Sequence, residues 1–235
     1  MRRLALVALL AVALGLAGCG SGGPGAADEA TVWITRDRGD HVLHAAKVPA
    51  SGSALQALQR VAKVKTRFGG RYVREVDGVA ERGRRAWFYY ANGYLADRGA
   101  GDYRLRAGDV IWWDYRSWRD PLDDAVVVGA FPEPFLHGYA GKRLPSAVLY
   151  REPRLRRGAL ALGRLLGAVL VAPIWRIPPQ NANLLVLEPG PRTSLQVLEG
   201  TAATKPGSPV FFRYSGDPLR LARNPRMFRY RYSVP

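Results

Sequence analysis

The feature that most constrains this sequence is an aromatic-rich stretch, residues 87–115, which contains the turn signals Asn92-Gly93 and Gly108-Asp109. Asn and Gly tolerate the positive φ angles of a type I′ turn, so the first pair predicts a tight β-hairpin. Successive side chains of a strand point to opposite faces, so large rings fall on both faces of the strands around these turns. One face must cover a core. We therefore expect either a second layer that covers the other face or exposed aromatic rings that bind another molecule.

The same stretch carries a spaced pattern, W-x-Y-x-x-N-G followed by G-x-x-D-Y-x-L-x-x-G-D-x-I-x-W-x-Y. This pattern resembles the transcobalamin C-terminal-like domain, a family catalogued as a domain of unknown function. Upstream, Ser53–Leu58 resembles the start of the family's helix, and Phe68-Gly69 and Val76–Val79 resemble its next segment. The resemblance covers about residues 31 to 115 and rests on several elements in the same order.

The resemblance implies a ligand-binding role. In cobalamin carriers, a domain of this kind closes over a corrinoid that is held on an α/α barrel. This chain, with 235 residues, has no room for such a barrel. The other wall of a binding site would therefore come from the second part of the chain or from a separate partner, such as an uptake transporter. The implied ligand is cobalamin or another flat molecule. The remaining alternative is that the domain binds no small molecule.

The N-terminus predicts export and lipidation. Two arginines precede the apolar residues 4–16, a run that is too short to span a bilayer comfortably and is typical of a signal peptide. It ends in Leu16-Ala17-Gly18-Cys19, which resembles the lipobox of bacterial lipoproteins. We expect residues 1–18 to be removed, Cys19 to carry acyl chains such as palmitate, and residues 19–30 to form a flexible tether. The chain would then lie at the extracytoplasmic face of the cell membrane. An ordinary signal peptide with a chance cysteine is the alternative.

The charge of the chain is strongly positive, with 35 Lys and Arg against 19 Asp and Glu. A chain this basic is compatible with a polyanion as partner. For an exported protein, phospholipid headgroups or an anionic wall polymer are the relevant polyanions, and we expect no nucleic acid. The simpler alternative is that the arginines are solvated and keep the protein soluble.

The hydrophobic pattern predicts an α+β fold with a first domain over residues 31–119. Strands are expected at Thr31–Thr35, His41–Val48 and Tyr72–Val76, and a helix is expected to begin after Ser53. With the aromatic hairpin and the last strand, these elements predict a small β-grasp-like sheet packed on one helix. His41 and His44 are three residues apart on a strand and point to opposite faces, so no metal site is predicted.

The second segment, residues 120–235, predicts a further α/β domain of unknown type. Its expected elements are a helix at 156–171 and strands at 125–128, 147–150, 184–187, 195–198, 210–214 and 227–234. The run Ala125–Val128 has the continuous apolar character of a strand that is buried on both faces. At 227–234 an amphipathic edge strand is favoured over a polyanion groove.

No catalytic motif for acyl transfer, nucleotide binding or metal-assisted hydrolysis is present, so we expect no enzyme and no catalytic residue. The favoured hypothesis is a non-catalytic module at the cell envelope that captures a flat ligand for uptake. The alternatives are a module that binds a protein or a wall polymer and, more weakly, a hydrolase of envelope material. The candidate ligand-binding residues are Trp87, Tyr90, Asn92, Trp112 and Trp118, because rings of this kind stack on flat molecules.

Overall fold

The computed structural model describes residues 28–118, 125–198 and 205–235. Its thirteen described strands are β1 (Glu29–Arg36), β2 (His41–Pro49), β3 (Val64–Arg67), β4 (Tyr72–Val76), β5 (Val79–Ala80), β6 (Arg85–Ala91), β7 (Tyr94–Leu95), β8 (Val110–Ser117), β9 (Ser146–Tyr150), β10 (Leu170–Pro173), β11 (Asn183–Glu188), β12 (Ser194–Val197) and β13 (Phe211–Ser215). The helices are α1 (Ala54–Val61), α2 (Glu133–Leu136), α3 (Arg156–Leu166) and α4 (Pro218–Arg223). The fold is therefore α+β, as predicted.

The predicted signal peptide, Cys19 and most of the predicted tether lie outside the described residues. The last predicted tether residues, Glu29 and Ala30, already belong to β1. Within the described residues, no helix has the length and apolar character needed to cross a membrane.

The first sheet is β-grasp-like. Its strand order is β2-β1-β8-β6-β7. The central strands β1 and β8 are parallel, and the other neighbours are antiparallel. The predicted hairpin joins β6 to β7 through Asn92 and Gly93, with φ angles of 51° and 88°. A Cβ at Gly93 would also lie 3.1 Å from the carbonyl oxygen of Val127, so both the backbone angle and the space favour glycine there.

Helix α1 begins where the sequence predicts. Ser53 accepts a hydrogen bond from the Gln56 N–H, and the Gln56 side chain accepts one from the Ser53 N–H, which forms a capping box. The helix buries Ala54, Ala57 and Leu58 against the first sheet. A small antiparallel sheet, β3-β4-β5, follows it.

The second sheet confirms an α/β segment. Its order is β10-β9-β11-β13-β12, with β10, β9, β11 and β13 parallel and β12 antiparallel to β13. Helix α3 connects β9 to β10 and packs on both strands and on α4. It stops at Gly167, which has φ 57° and ψ 42° in the left-handed region that commonly ends helices. The predicted helix was therefore too long, because residues 170–173 form a strand instead.

Two other predicted strands were wrong. Ala125–Val128 makes a single bridge to the hairpin, at Val126 with Tyr94, and then enters a 3₁₀ turn. Residues 227–230 form turns, with Tyr230 at φ 66°, and of residues 231–234 only Val234 makes a bridge, to Leu195. An alternation of aromatic and polar residues is typical of a strand, but here it occurs in a turn segment whose rings pack against neighbouring elements. The pattern alone therefore does not distinguish the two.

That C-terminal segment covers the outer face of the first sheet. Tyr232 packs at 5.2 Å from Trp112 between ring centroids, and Tyr230 packs at 5.0 Å from Trp33. The rings on this face form one buried cluster, which consists of Trp33, Tyr90, Val110, Trp112, Val127 and Tyr232. The other face of the sheet shares its buried cluster with residues of the second segment. The second layer expected from the aromatic pattern is therefore supplied by the distant end of the chain.

Candidate functional site

The candidate site is a cavity of about 200 Å³ beside the β6 edge of the first sheet. Strand β7 pairs with only Tyr90 and Ala91 of β6, so it leaves the β6 edge at Trp87 and Phe88 uncovered. The lining residues come from β4, β6, β8 and the turns next to them, and they are Arg71, Tyr72, Val73, Trp87, Phe88, Tyr89, Leu95, Ala96, Ala100 and Trp113. All of them belong to the first segment.

Five of the ten residues that line this cavity are aromatic. Tyr89 and Trp113 are stacked, with ring centroids 4.9 Å apart and an interplanar angle of 26°. Trp87 packs beside Tyr115, with ring centroids 5.3 Å apart. A wall of this kind offers flat apolar surface to a ligand that is itself flat.

Most polar groups of the wall are already bonded within the protein. The Trp87 Nε1–H donates to the carbonyl oxygen of Val79 at 2.9 Å, and the Tyr89 hydroxyl donates to the carbonyl oxygen of Arg98 at 2.7 Å. The Tyr72 hydroxyl donates to Glu81 at 2.5 Å. Burial and this bond raise the pKa of Tyr72 to about 12, so the phenol stays protonated at neutral pH.

Trp113 is the exception. Its side chain is only 2% exposed, and its Nε1–H has no hydrogen-bond partner among the residues that the structure describes. A buried donor without an acceptor costs about 1–3 kcal/mol, so native structures rarely leave one without a reason. Trp113 lines the cavity, and its indole is a buried donor of the wall without a partner among the described residues.

The two turns of the spaced pattern, at Asn92-Gly93 and Gly108-Asp109, are joined by side-chain hydrogen bonds. The Asn92 side-chain amide donates to Asp109 at 2.8 Å and to the carbonyl oxygen of Gly138 at 2.9 Å, and its oxygen accepts from the Val110 N–H at 2.7 Å. Asp109 also accepts from the Arg106 N–H at 2.9 Å. Burial raises the pKa of the Asp109 carboxyl. This network fixes the β6–β7 hairpin against the start of β8, which carries Trp113.

The five residues predicted to bind a ligand are not brought together. Trp87 lines the cavity, whereas Trp118 is 54% exposed and does not line it. Tyr90, Asn92 and Trp112 are all 0% exposed. Trp112 donates to Thr35 at 2.8 Å beneath the C-terminal segment. Asn92 donates to Asp109 and so joins the two turns. None of these three lines the cavity, so the five candidates do not form one site.

Trp112 was predicted to bind a ligand, and Trp113 was not among the candidate residues. Alternation along β8 correctly separates the two rings onto opposite faces. It does not reveal which face is covered by a distant segment, and the C-terminal tyrosines cover the Trp112 face. The signal for Trp113 in the sequence is its place in the spaced pattern, on the same face as Ile111 and Tyr115.

A metal centre is not visible in the described residues, where no group of three His, Cys, Asp or Glu side chains is placed to hold an ion. His44 pairs with Asp77 at 2.9 Å, and His41 lies 3.3 Å from Asp37. Each histidine is therefore satisfied by a separate carboxylate.

Comparison with known proteins finds a similarity to one family over part of this region. Residues 52–117 match the family described as "Domain of unknown function (DUF4430)". No curated protein matches the chain. Among solved structures, one described as a "putative metal binding protein" from Ruminococcus gnavus is 14% identical, with a TM-score of 0.33. The similarity covers 38% of this chain and 97% of that one.

Proposed function

We propose that this chain is a lipid-anchored, non-catalytic binding module of the cell envelope that captures a flat small molecule, with cobalamin as the first candidate. The observation that carries this proposal is the aromatic cavity beside Trp87 and the unpartnered Nε1–H of Trp113. The rings supply stacking surface and the indole supplies one directional donor. Few polar groups in a mainly apolar wall are typical of ligand sites.

The size of the cavity limits how a ligand is held. Sites that enclose drug-sized ligands measure about 300–1,000 Å³, and this cavity measures about 200 Å³. It therefore accepts one ring or one edge of a larger molecule. Because residues 71–113 provide the whole lining, the second segment does not supply an opposite wall. A second wall would come from a partner, such as an uptake transporter, that meets the exposed side of the bound ligand.

Lipidation of Cys19 would keep the module at the extracytoplasmic face of the membrane. Acyl chains bind bilayers through their buried CH₂ groups, and more than one chain gives stable anchoring. The proposal follows from the position of the chain's single cysteine directly after the apolar N-terminal run. A module fixed at the surface can pass a captured ligand to a membrane partner without diffusing away.

A second candidate function is binding of an anionic wall polymer. It is favoured by the net charge of +16 and by arginines that lie over aromatic rings, such as Arg229 at 5.5 Å from the buried ring of Trp33. Binding of this kind weakens steeply as salt is added. Ligand capture in an apolar cavity depends little on salt, so the two functions separate in one titration series.

The test of the favoured function is an equilibrium titration with cobalamin that follows tryptophan fluorescence. We expect saturable quenching in the wild type and its loss in Ala96→Phe, which fills the cavity with an extra ring. Ala161→Phe is the matched control and should bind like the wild type, because Ala161 in α3 is half-buried like Ala96 but lies outside the cavity lining. Absence of any change at high micromolar cobalamin would remove corrinoids as ligands.

A further inference from the structure

The connection between β10 and β11 exposes two large apolar side chains. Trp175 is 71% exposed and Ile177 is 92% exposed. Single apolar residues at a surface are ordinary, but a tryptophan and an isoleucine two positions apart form a projecting pair. Arg176 between them is exposed as well. The pair lies far outside the lining of the cavity described above.

This connection has an unusual form. It runs from the carboxyl end of β10 to the amino end of β11, and it must pass β9, which lies between those strands. Parallel strands are usually joined across a sheet by a helix. Here residues 174–182 contain no helix, and they include Pro178 and Pro179.

The start of the connection is held firmly. The Ile174 N–H donates to the carbonyl oxygen of Tyr150 at 2.9 Å, and its side chain packs on the apolar cluster of Leu149, Ala172 and Val186. The Arg176 N–H donates to the carbonyl oxygen of Pro173 at 3.0 Å and closes a turn. Ile174 therefore points at the sheet, and the turn presents the next residues outward on a fixed base.

The chemistry of the exposed pair fits a membrane interface. Tryptophan is enriched at the boundary between headgroups and acyl chains, where its ring is apolar and its N–H meets water. An arginine beside it keeps its charge among the phosphates while its stem covers apolar surface. Isoleucine adds an apolar side chain, which is more favourable among acyl chains than in water.

The length of the tether places a bilayer within reach. Between Cys19 and the first described residue, Asp28, there are eight residues, and a fully extended chain spans at most about 3.3–3.6 Å per residue. Asp28 would therefore stay within roughly 30 Å of the lipid surface. Without Arg2 and Arg3, which are lost with residues 1–18, the chain keeps 33 Lys and Arg against 19 Asp and Glu, and this net charge of +14 also favours approach to anionic headgroups.

We propose that Trp175 and Ile177 insert into the membrane leaflet to which the chain is anchored, as a second contact that fixes the orientation of the domain. The inference rests on the proposed anchoring at Cys19. A lipid anchor alone leaves the domain free to rotate on its tether, and an inserted turn removes that freedom. The cavity beside Trp87 would then have a defined direction relative to the membrane partner.

The test uses the full chain purified from bacterial membranes with its own anchor. The protein is reconstituted into vesicles of phosphatidylcholine and phosphatidylglycerol whose acyl chains carry bromine, which quenches tryptophan only on close approach. We expect quenching in the wild type and its loss in Trp175→Phe. Trp118→Phe removes another exposed tryptophan and should leave the quenching unchanged. Ile177→Asp should abolish it while Trp175 is still present.

Two outcomes would overturn the insertion. One is wild-type protein that binds the vesicles without quenching. Trp175 and Ile177 would then be assigned to contact with a protein partner instead of the membrane. The other is equal quenching in the wild type and in Trp175→Phe. Mass spectrometry of Cys19 decides the anchor separately. If no acyl chain is found, the anchoring proposal fails, and the same vesicles added to the unlipidated full chain still decide whether Trp175 enters the bilayer.

Discussion

Replacement of Asp114 by Asn should separate the C-terminal segment from the first sheet. The Asp114 carboxylate is 0% exposed and accepts from four donors. One oxygen receives the Thr35 hydroxyl at 2.6 Å and the Gly39 N–H at 3.3 Å, and the other receives the Arg38 N–H at 3.1 Å and the Tyr232 hydroxyl at 2.9 Å. Tyr232 is the C-terminal member of this network.

An asparagine side chain has one acceptor oxygen where aspartate has two. Its NH₂ group is a donor and would face two of the groups that now donate to Asp114. The Tyr232 hydroxyl can turn to accept, but the backbone N–H at Arg38 cannot. Loss of hydrogen bonds to a charged acceptor costs about 1.5–3 kcal/mol, and a buried donor without its acceptor costs about 1–3 kcal/mol. We expect a total of about 3–5 kcal/mol, which corresponds to a fall in Tm of roughly 6–20 °C at about 2–4 °C per kcal/mol for a chain of this size.

Differential scanning calorimetry of the two proteins measures this difference. Asp102→Asn is the matched control, because Asp102 is exposed and its contact with Arg71 is at 4.0 Å. That variant should stay within about 0.5 kcal/mol of the wild type. Tyr232→Phe should fall in between, since it removes one donor and keeps the carboxylate. An Asp114→Asn protein with the Tm of the wild type would refute the reasoning that this network holds the C-terminal segment in place.

Three further substitutions test local features. Gly93→Ala should cost about 1 kcal/mol or more, measured by urea unfolding, because its φ of 88° is unfavourable for residues with a Cβ. Ser53→Ala should cost about 1 kcal/mol by the same measurement, because it removes the N-cap of α1. The bond to Glu133 raises the pKa of His137 above its usual 6.5. Protonated His137 therefore contributes its full stabilisation below its usual pKa, and this contribution is lost as pH rises through the raised pKa. The Tm of the wild type should exceed that of His137→Gln by more at about pH 5.5 than at about pH 8.5.

Local signals in the sequence were sufficient for the first sheet. The Asn92-Gly93 pair needs positive φ angles, Ser53 offers a cap, and alternation distinguishes Trp112 from Trp113. Each of these features depends on a few neighbouring residues. These signals predicted a β-grasp-like sheet packed on one helix, but not the parallel pairing of β1 with β8 or the separate β3-β4-β5 sheet that contains Tyr72–Val76.

Features that depend on distant contacts were not predictable in this way. The apolar run after α3 is helical in pattern, yet Gly167 ends the helix and β9 recruits Leu170–Pro173 as a parallel neighbour. Likewise, the burial of Trp112 depends on Tyr232, which is 120 positions later in the chain. The candidate site shifted from one face of β8 to the other for that reason.

The central claim, that the cavity beside Trp87 binds a ligand through Trp113, is tested most directly by the indole N–H signals of the chain in an ¹H–¹⁵N correlation spectrum. Trp113→Phe identifies the relevant signal by its loss. On titration with cobalamin, we predict that this signal moves saturably and downfield as its N–H gains an acceptor, while those of Trp118 and Trp175 stay in place. An unchanged Trp113 signal at a concentration where cobalamin is bound elsewhere would contradict the claim.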